Sequence, residues 1–328
     1  MCVGSTGGVV EEPVALPVRA AVRRAFRAPR LPLSTADFGR RGFRTDRPVA
    51  REALEGHARS FLTGFNTAVG EWRAPHAALD RLADEERGFA YEGAGMFARI
   101  ADLATAGRAR AVERLLSGPG HRYAHLVHVG AGWPFAAARL PAPIPLPRTP
   151  LLRWLALDGA GFAAAFFGGA RALARQCRAA TTPAAEAKVA GCGRAVWFLE
   201  SADVAGVARR VSTLPPAAHP SLWSGIGLAC AYAGATDEAG RAELVRASGT
   251  HRPHLAQGVA FAAGARVRSG IVPEHTRAAC AQILGVHPEQ AAAWTDAAAE
   301  GLTDSRHVHA YLRWRARVRA LAAPVTPN

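Results

Sequence analysis

Apolar residues recur at helical spacing along most of the chain, and β-type alternation is scarce. This pattern predicts an all-α protein, because a sheet would have little strand material. The predicted helices lie at about residues 50–70, 76–86, 88–105, 107–117, 150–175, 184–198, 201–212, 219–233, 236–247, 253–269, 273–284, 288–300 and 306–321.

Glycine recurs at a regular interval inside small-residue segments that are flanked by an aromatic residue or a histidine. An interval of about 33 residues fits two helices and two turns, so it predicts an array of helical hairpins, tetratricopeptide-like or a related α-solenoid. A chance register is the alternative, since glycine supplies 33 of 328 residues. The marker glycines are Gly95, Gly132, Gly161, Gly193, Gly227 and Gly258.

Composition shifts divide the chain into two predicted parts. Residues 1–15 are rich in glycine and weakly patterned, which predicts a disordered leader. Residues 16–322 are expected to form a single helical-repeat domain. Five prolines among residues 140–150 cannot lie inside a helix, so we expect an extended linker there, between two helical blocks of that domain.

The net charge of +14 raises the question of nucleic-acid binding. Lys188 is the only lysine, and arginines are spread along the chain except for clusters at residues 19–30 and 313–319. Neither cluster is interleaved with the aromatic platforms of a dedicated nucleic-acid reader. We therefore interpret both as solvated helix faces and expect no nucleic-acid partner.

The cysteines and the apolar segments together predict a cytoplasmic protein. Five cysteines show no close pair and no zinc-like spacing, as expected of reduced thiols. No secretory signal is evident in residues 1–18, which include Glu11 and Glu12. The most apolar stretch, residues 151–170, is interrupted by Arg153 and Asp158, so no stable membrane insertion is expected.

Two carboxylates, Glu92 and Asp158, stand within glycine-rich and otherwise apolar segments. Burial of an ionised carboxylate is costly unless it is paired, and a desolvated carboxylate with a raised pKa can act as a general base. Both residues are therefore candidate catalytic groups. The alternatives are a buried pair with arginine and a carboxylate stabilised at a helix N-terminus.

Histidines supply two further candidate groups for proton transfer, His128 and His254. His121, His125 and His128 have a spacing that would place them on one helical face, where imidazoles can bind a metal. A glycine–proline turn precedes His121, however, so caps or hydrogen-bonded packing are the favoured interpretation. No metal is predicted, and without a phosphate-binding glycine loop no nucleotide or other cofactor is predicted either.

Several short segments occur in a fixed order between residues 20 and 320. They are Phe38–Phe43, Phe61–Asn66, Arg87–Met96, Val127–Trp133, Leu151–Phe162, Trp197–Leu199, Leu222–Leu228 and Arg252–Gly258. Together they resemble the bacterial UnbL-type enediyne biosynthesis family. The resemblance also leads us to expect a tyrosine and a histidine within residues 159–167, where this chain has only glycine, alanine and phenylalanine.

The resemblance implies an accessory protein of enediyne-type natural-product biosynthesis that acts on, or binds, a hydrophobic polyene made by an iterative polyketide synthase. Aromatic residues at Trp133, Trp154, Phe162 and Trp223 would then contact the polyene, although core packing is their alternative role. A non-catalytic helical-repeat scaffold or carrier for the synthase and tailoring proteins is the second hypothesis. The sequence leaves open whether the protein is an enzyme.

Overall fold

The structure is a computed structural model that describes residues 30–137 and 145–323. Within these ranges the regular elements are all helices, with no strand, which confirms the all-α prediction. The predicted leader and residues 140–144 of the predicted linker lie outside the described residues; residues 145–150 are not helical. The α-helices are α1 Pro48–Glu71, α2 His76–Leu79, α3 Arg87–Ala104, α4 Ala111–Leu115, α5 Ala124–Gly130, α6 Trp133–Ala137, α7 Leu155–Arg178, α8 Pro183–Leu199, α9 Val204–Ser212, α10 His219–Ala233, α11 Glu238–Ser248, α12 Arg252–Ser269, α13 Glu274–Ala279, α14 Pro288–Ala299 and α15 Val308–Leu321.

Local sequence explains where several helices begin. Thr182, Asp203 and Asp237 precede α8, α9 and α11, and each side chain accepts a hydrogen bond from a backbone N–H in the first turn. Such caps satisfy donors that have no partner inside the helix. Gly270 ends α12 in the left-handed region, with φ of 77°, where glycine is favoured.

The structure shortens the helices expected at 76–86 and 107–117 to α2 and α4, and it corrects two further parts of the helix prediction. The single helix expected at about 150–175 is interrupted at Gly169, whose φ of 59° and ψ of −156° are not helical. The first half of α7 lies in the core, and the second half carries the chain toward α8. The short helices α5 and α6 were missed, because the glycine–proline turn at residues 118–120 hides the helical pattern that follows.

One helical segment, Leu151–Arg178, is long and apolar enough to cross a membrane by length and composition, with a mean hydropathy of 1.2. Within the protein, 67% of its most apolar window is buried. Burial of this kind is typical of a core helix, and the break at Gly169 divides the segment further.

The marker glycines lie where the backbones of successive long helices touch. A Cβ atom at Gly161 of α7 would lie 1.7 Å from the carbonyl oxygen of Lys188 in α8. In return, a Cβ atom at Gly191 of α8 would lie 1.8 Å from the carbonyl oxygen of Asp158 in α7. Reciprocal contacts of the same kind join α1 to α3, α3 to α5, α8 to α10 and α10 to α12. They also join α7 to α5 and to Gly132 in the turn after α5. Each long helix therefore packs on the next along the chain; assignment to a tetratricopeptide-like or α-solenoid class stays a prediction.

Equivalent positions of neighbouring long helices meet, so these helices run in the same direction. Phe65 of α1 contacts Phe97 of α3, 32 residues later, with ring centroids 5.8 Å apart. The indole Nε1 of Trp197 in α8 donates to the carbonyl oxygen of Gly234, just after α10, at 3.0 Å. The shorter helices and turns between the long ones return the chain to the starting side.

The row of long helices curls, so that its last members approach its first. Nε2 of His57 in α1 lies 3.0 Å from the carbonyl oxygen of Ala233 in α10, and Nδ1 lies 2.7 Å from Oε1 of Glu86. Arg266 of α12 donates to the carbonyl oxygen of Glu85 at 2.9 Å. A space remains on the inner side of the curl.

We expect Gly191→Ala to lower the free energy of unfolding by about 3 kcal/mol, because the new Cβ collides with backbone that cannot yield locally. Gly56→Ala is the matched control: it lies within α1, where a Cβ meets only the far end of Arg59 at 3.9 Å. Alanine's higher helix propensity should stabilise that variant by about 0.5–1 kcal/mol. Chemical denaturation measures both, and equal stability of the two variants would contradict the role of the glycine contacts.

Candidate functional site

The inner side of the curled helices forms a partly open cavity of about 760 Å³. This volume lies within the range of roughly 300–1,000 Å³ that is usual for small-molecule sites. Helices from α1 to α15 contribute to its wall, which is mostly aromatic and aliphatic. The large aromatic side chains of the wall include Phe61, Trp133, Phe162, Phe166, Phe198 and Phe261.

Cavity-lining residues occupy a fixed position relative to the glycine contacts. The second contact position of a helix is the one that packs on the following helix: Gly64, Gly95, Gly132, Gly161, Gly193 or Gly227, with Ala260 as the equivalent position of α12. Cavity-lining residues lie three residues before this position and one residue after it. Residues four apart share one face of a helix. The residues three before are Phe61, Glu92, Val129, Asp158, Ala190, Ser224 and Gln257, and those one after are Phe65, Met96, Trp133, Phe162, Arg194, Leu228 and Phe261.

Four of these side chains form a buried polar cluster on the wall. Nε of Arg194 donates to Oδ1 of Asp158 at 2.8 Å, and Nη1 of Arg194 lies 3.8 Å from Oε1 of Glu92. The indole Nε1 of Trp133 donates to the same Glu92 oxygen at 3.0 Å. The guanidinium also lies over the ring of Phe162, 4.7 Å from its centroid. The cluster thus joins α3, α6, α7 and α8.

Charge is unbalanced in this cluster, since two carboxyl groups share one guanidinium. Burial raises the pKa of Glu92, and Asp158 raises it further, against the opposing effects of Arg194 and Trp133. Burial opposes the charge of Arg194, but Asp158 and Glu92 outweigh it and raise the pKa of Arg194. A proton on Glu92 makes the cluster neutral, which is the favourable state for groups removed from water. Glu92 is therefore placed to hold an exchangeable proton beside an apolar cavity.

One family model matches residues 18–322, and its description is a protein of unknown function, DUF1702. The chain belongs to the DUF1702 family. No curated protein and no solved structure matches the chain significantly. The family description names no reaction, ligand or pathway.

In this DUF1702 chain, four of the eight predicted site residues come together. Glu92, Asp158, Trp133 and Phe162 all line the cavity and contact one another or Arg194. The alternative considered for the two carboxylates, a buried pair with arginine, describes their immediate contacts.

The other predicted site residues lie outside the cavity lining. Nδ1 of His128 lies 2.7 Å from the carbonyl oxygen of Ala124, within α5. His254 is at the start of α12, where burial lowers its pKa to about 4. Trp223 is buried in the core of α10, and Trp154 lies in the helical turn before α7 with Arg153 over its ring.

The histidines of residues 121–128 do not share one α-helical face in the DUF1702 chain. His121 belongs to the 3₁₀ helix Gly118–Tyr123, and α5 begins only at Ala124. Across the described residues, no group of three or more histidine, cysteine, aspartate or glutamate side chains is arranged to hold a metal ion. His125 does line the cavity, where burial lowers its pKa to about 3.

Sequence reasoning missed Arg194 and His57 as cavity residues. Arg194 follows Gly193 directly, and the residue after the second contact glycine faces the cavity in each long helix. Projecting the recurring glycines onto a helical wheel would have found it. The same projection would have found His57, which lies four residues before Phe61 and shares its inward face, whereas its contact with Ala233 of α10 could not be predicted in this way.

The raised pKa of Glu92 predicts a pH dependence of stability. A carboxyl whose pKa is higher in the folded state contributes fully below its ordinary pKa of 4.5, and the contribution is lost as the pH rises through the folded value. Glutamine does not titrate, so the stability of Glu92→Gln relative to the natural protein should increase from pH 5 to pH 8. Chemical denaturation at several pH values measures this difference. Glu52→Gln, at an exposed position, is the control, and a flat difference curve for both variants would contradict the assignment.

Proposed function

We propose that this protein binds an elongated apolar molecule in its cavity and transfers a proton to it from Glu92. The observation that carries the proposal is the Glu92–Arg194–Asp158 cluster, buried on the wall of a large and mostly aromatic cavity. A proton donor that is shielded from water is an effective acid toward a weakly basic substrate.

A conjugated polyene is the substrate class that this chemistry favours. Proton transfer breaks the O–H bond of Glu92 and forms a C–H bond at one end of a double bond, which leaves a delocalised cation. The aromatic side chains of the cavity wall would stabilise that cation. Loss of a proton from another carbon to the Glu92 carboxylate then gives a shifted double bond. If a second double bond first gives its π electrons to the cation and forms a C–C bond, the same proton loss gives a closed ring, and neither route needs an oxidant or cofactor.

The finer proposal is that the polyene comes from an iterative polyketide synthase of an enediyne-type pathway. It is supported by the ordered segments that resemble the UnbL-type family and by the aromatic wall. The roles of His128 and His254 in proton transfer are not retained in this proposal, because neither lines the cavity. A carrier that binds the same polyene without changing it, in partnership with the synthase, is the second candidate, and it would use the same cavity.

Binding is tested with diphenylhexatriene, a neutral conjugated probe that fluoresces in apolar surroundings. Leu228 lines the cavity, so Leu228→Trp should narrow it and weaken binding by about 1 kcal/mol, or fivefold. Leu312→Trp is the control, since Leu312 is partly buried outside the cavity lining. Titrations that give no binding, or the same affinity for all three proteins, would exclude the cavity as the binding site.

Proton transfer is tested by incubating purified protein in D₂O with polyene extracted from cells that express an iterative polyketide synthase. We expect deuterium incorporation, read by mass spectrometry, that Glu92→Gln abolishes while probe binding is kept. Binding without incorporation in the natural protein favours the carrier. Deuterium incorporation that persists in Glu92→Gln would contradict the assignment of Glu92 as the proton donor.

A further inference from the structure

Arg315 of α15 is a buried arginine that lines the cavity, and its guanidinium carbon lies 5.9 Å from the ring centroid of Tyr311. It is 4% exposed and lines the cavity wall. Among the described residues, no carboxylate lies within ion-pair distance of its guanidinium and no hydrogen bond engages it. A guanidinium removed from water is costly unless an anion or acceptor compensates it.

Other buried arginines have their partners within the protein. Arg194 binds Asp158, and Arg266 donates to the carbonyl oxygen of Tyr232 at 2.6 Å. These contacts join helices and explain why the side chains are buried. Arg315 has no such contact among the described residues, and an anion held in the cavity would compensate its buried charge.

The surroundings of Arg315 favour an anion. Tyr311, one turn earlier on α15, also lines the cavity, and its hydroxyl group has no hydrogen-bond partner among the described residues. Arg319, one turn later, donates to Oε1 of Gln257 at 2.7 Å and adds positive charge to this side of the wall. After burial, Arg319 and Arg315 are the main causes that lower the pKa of His254.

We propose that the molecule bound in the cavity is a long-chain carboxylate, with its carboxylate held by Arg315 and Tyr311 and its chain along the aromatic wall. This inference rests on the proposed function and names the substrate class for that site. A planar guanidinium binds a carboxylate through two parallel hydrogen bonds, and a phenol hydroxyl can donate a third. Arg30 and Arg175 also line the cavity but are exposed, so water already solvates their charges.

The test compares parinaric acid, a conjugated tetraene carboxylic acid, with its methyl ester at pH 8. The two probes share one chain and differ in charge at the head group. We expect the natural protein to bind the acid about tenfold more tightly than the ester. Arg315→Met, which keeps an unbranched stem, should remove that preference by weakening the acid alone. Arg175→Met is the matched control and should keep the preference.

Each other outcome has a defined meaning. If neither probe binds, the proposed function and this inference both fail. If acid and ester bind equally to the natural protein, the cavity function stands and the carboxylate is excluded. If Arg175→Met rather than Arg315→Met removes the preference, the head group lies at the exposed arginine and the proposal is overturned.

Thermal unfolding without probe separates a binding role of Arg315 from a structural one. Removing an unpaired buried charge should leave the melting temperature unchanged or raise it. A lower melting temperature, or failure to fold, would show that Arg315 supports the fold and would overturn the proposal. Tyr311→Phe supplies a milder second variant, for which we expect a severalfold loss of affinity for the acid and none for the ester.

Discussion

The backbone contact between successive long helices is the constraint on which the rest of this structure depends. It requires glycine at two positions two residues apart, one facing the preceding helix and one facing the following helix. Gly191 and Gly193 of α8 show this division, since the first meets Asp158 of α7 and the second meets Leu222 of α10. Once these contacts fix the rotation of each helix, the residues that face the cavity are determined as well. Packing and site are therefore set by the same glycines.

The charged residues of the cavity wall differ in how their burial is compensated. Arg194 lies between Glu92 and Asp158, and those two carboxyl groups together exceed its single charge. This excess of negative charge favours protonation of Glu92, so the cavity wall carries a carboxylic acid. Arg315 has the opposite imbalance, a positive charge with no described acid beside it. An apolar cavity with one acidic and one cationic point can orient a long molecule from head to tail.

Much of the fold could be predicted from sequence, because helical periodicity is a local property. The long helices agree with the expected ranges, whereas the break at Gly169 was hidden among alanines and glycines that are equally compatible with a continuous helix. Glu92, Asp158, Trp133 and Phe162 were found because they stand in the recurring segments. Their partner Arg194 stands there too, but its role depends on a contact between helices. The cavity itself depends on the curl, which joins α1 to α10 through pairs distant in sequence.

The contact between α1 and α10 has a consequence for how such a cavity can change in evolution. A row of stacked helices can ordinarily grow or shrink by whole units at little cost, because each unit touches only its neighbours. Here α10 contacts α1, so adding or losing one helix pair between them would move His57 away from Ala233. This contact limits the number of helices in the row, so the shape of the cavity would change mainly through the side chains at the inward positions.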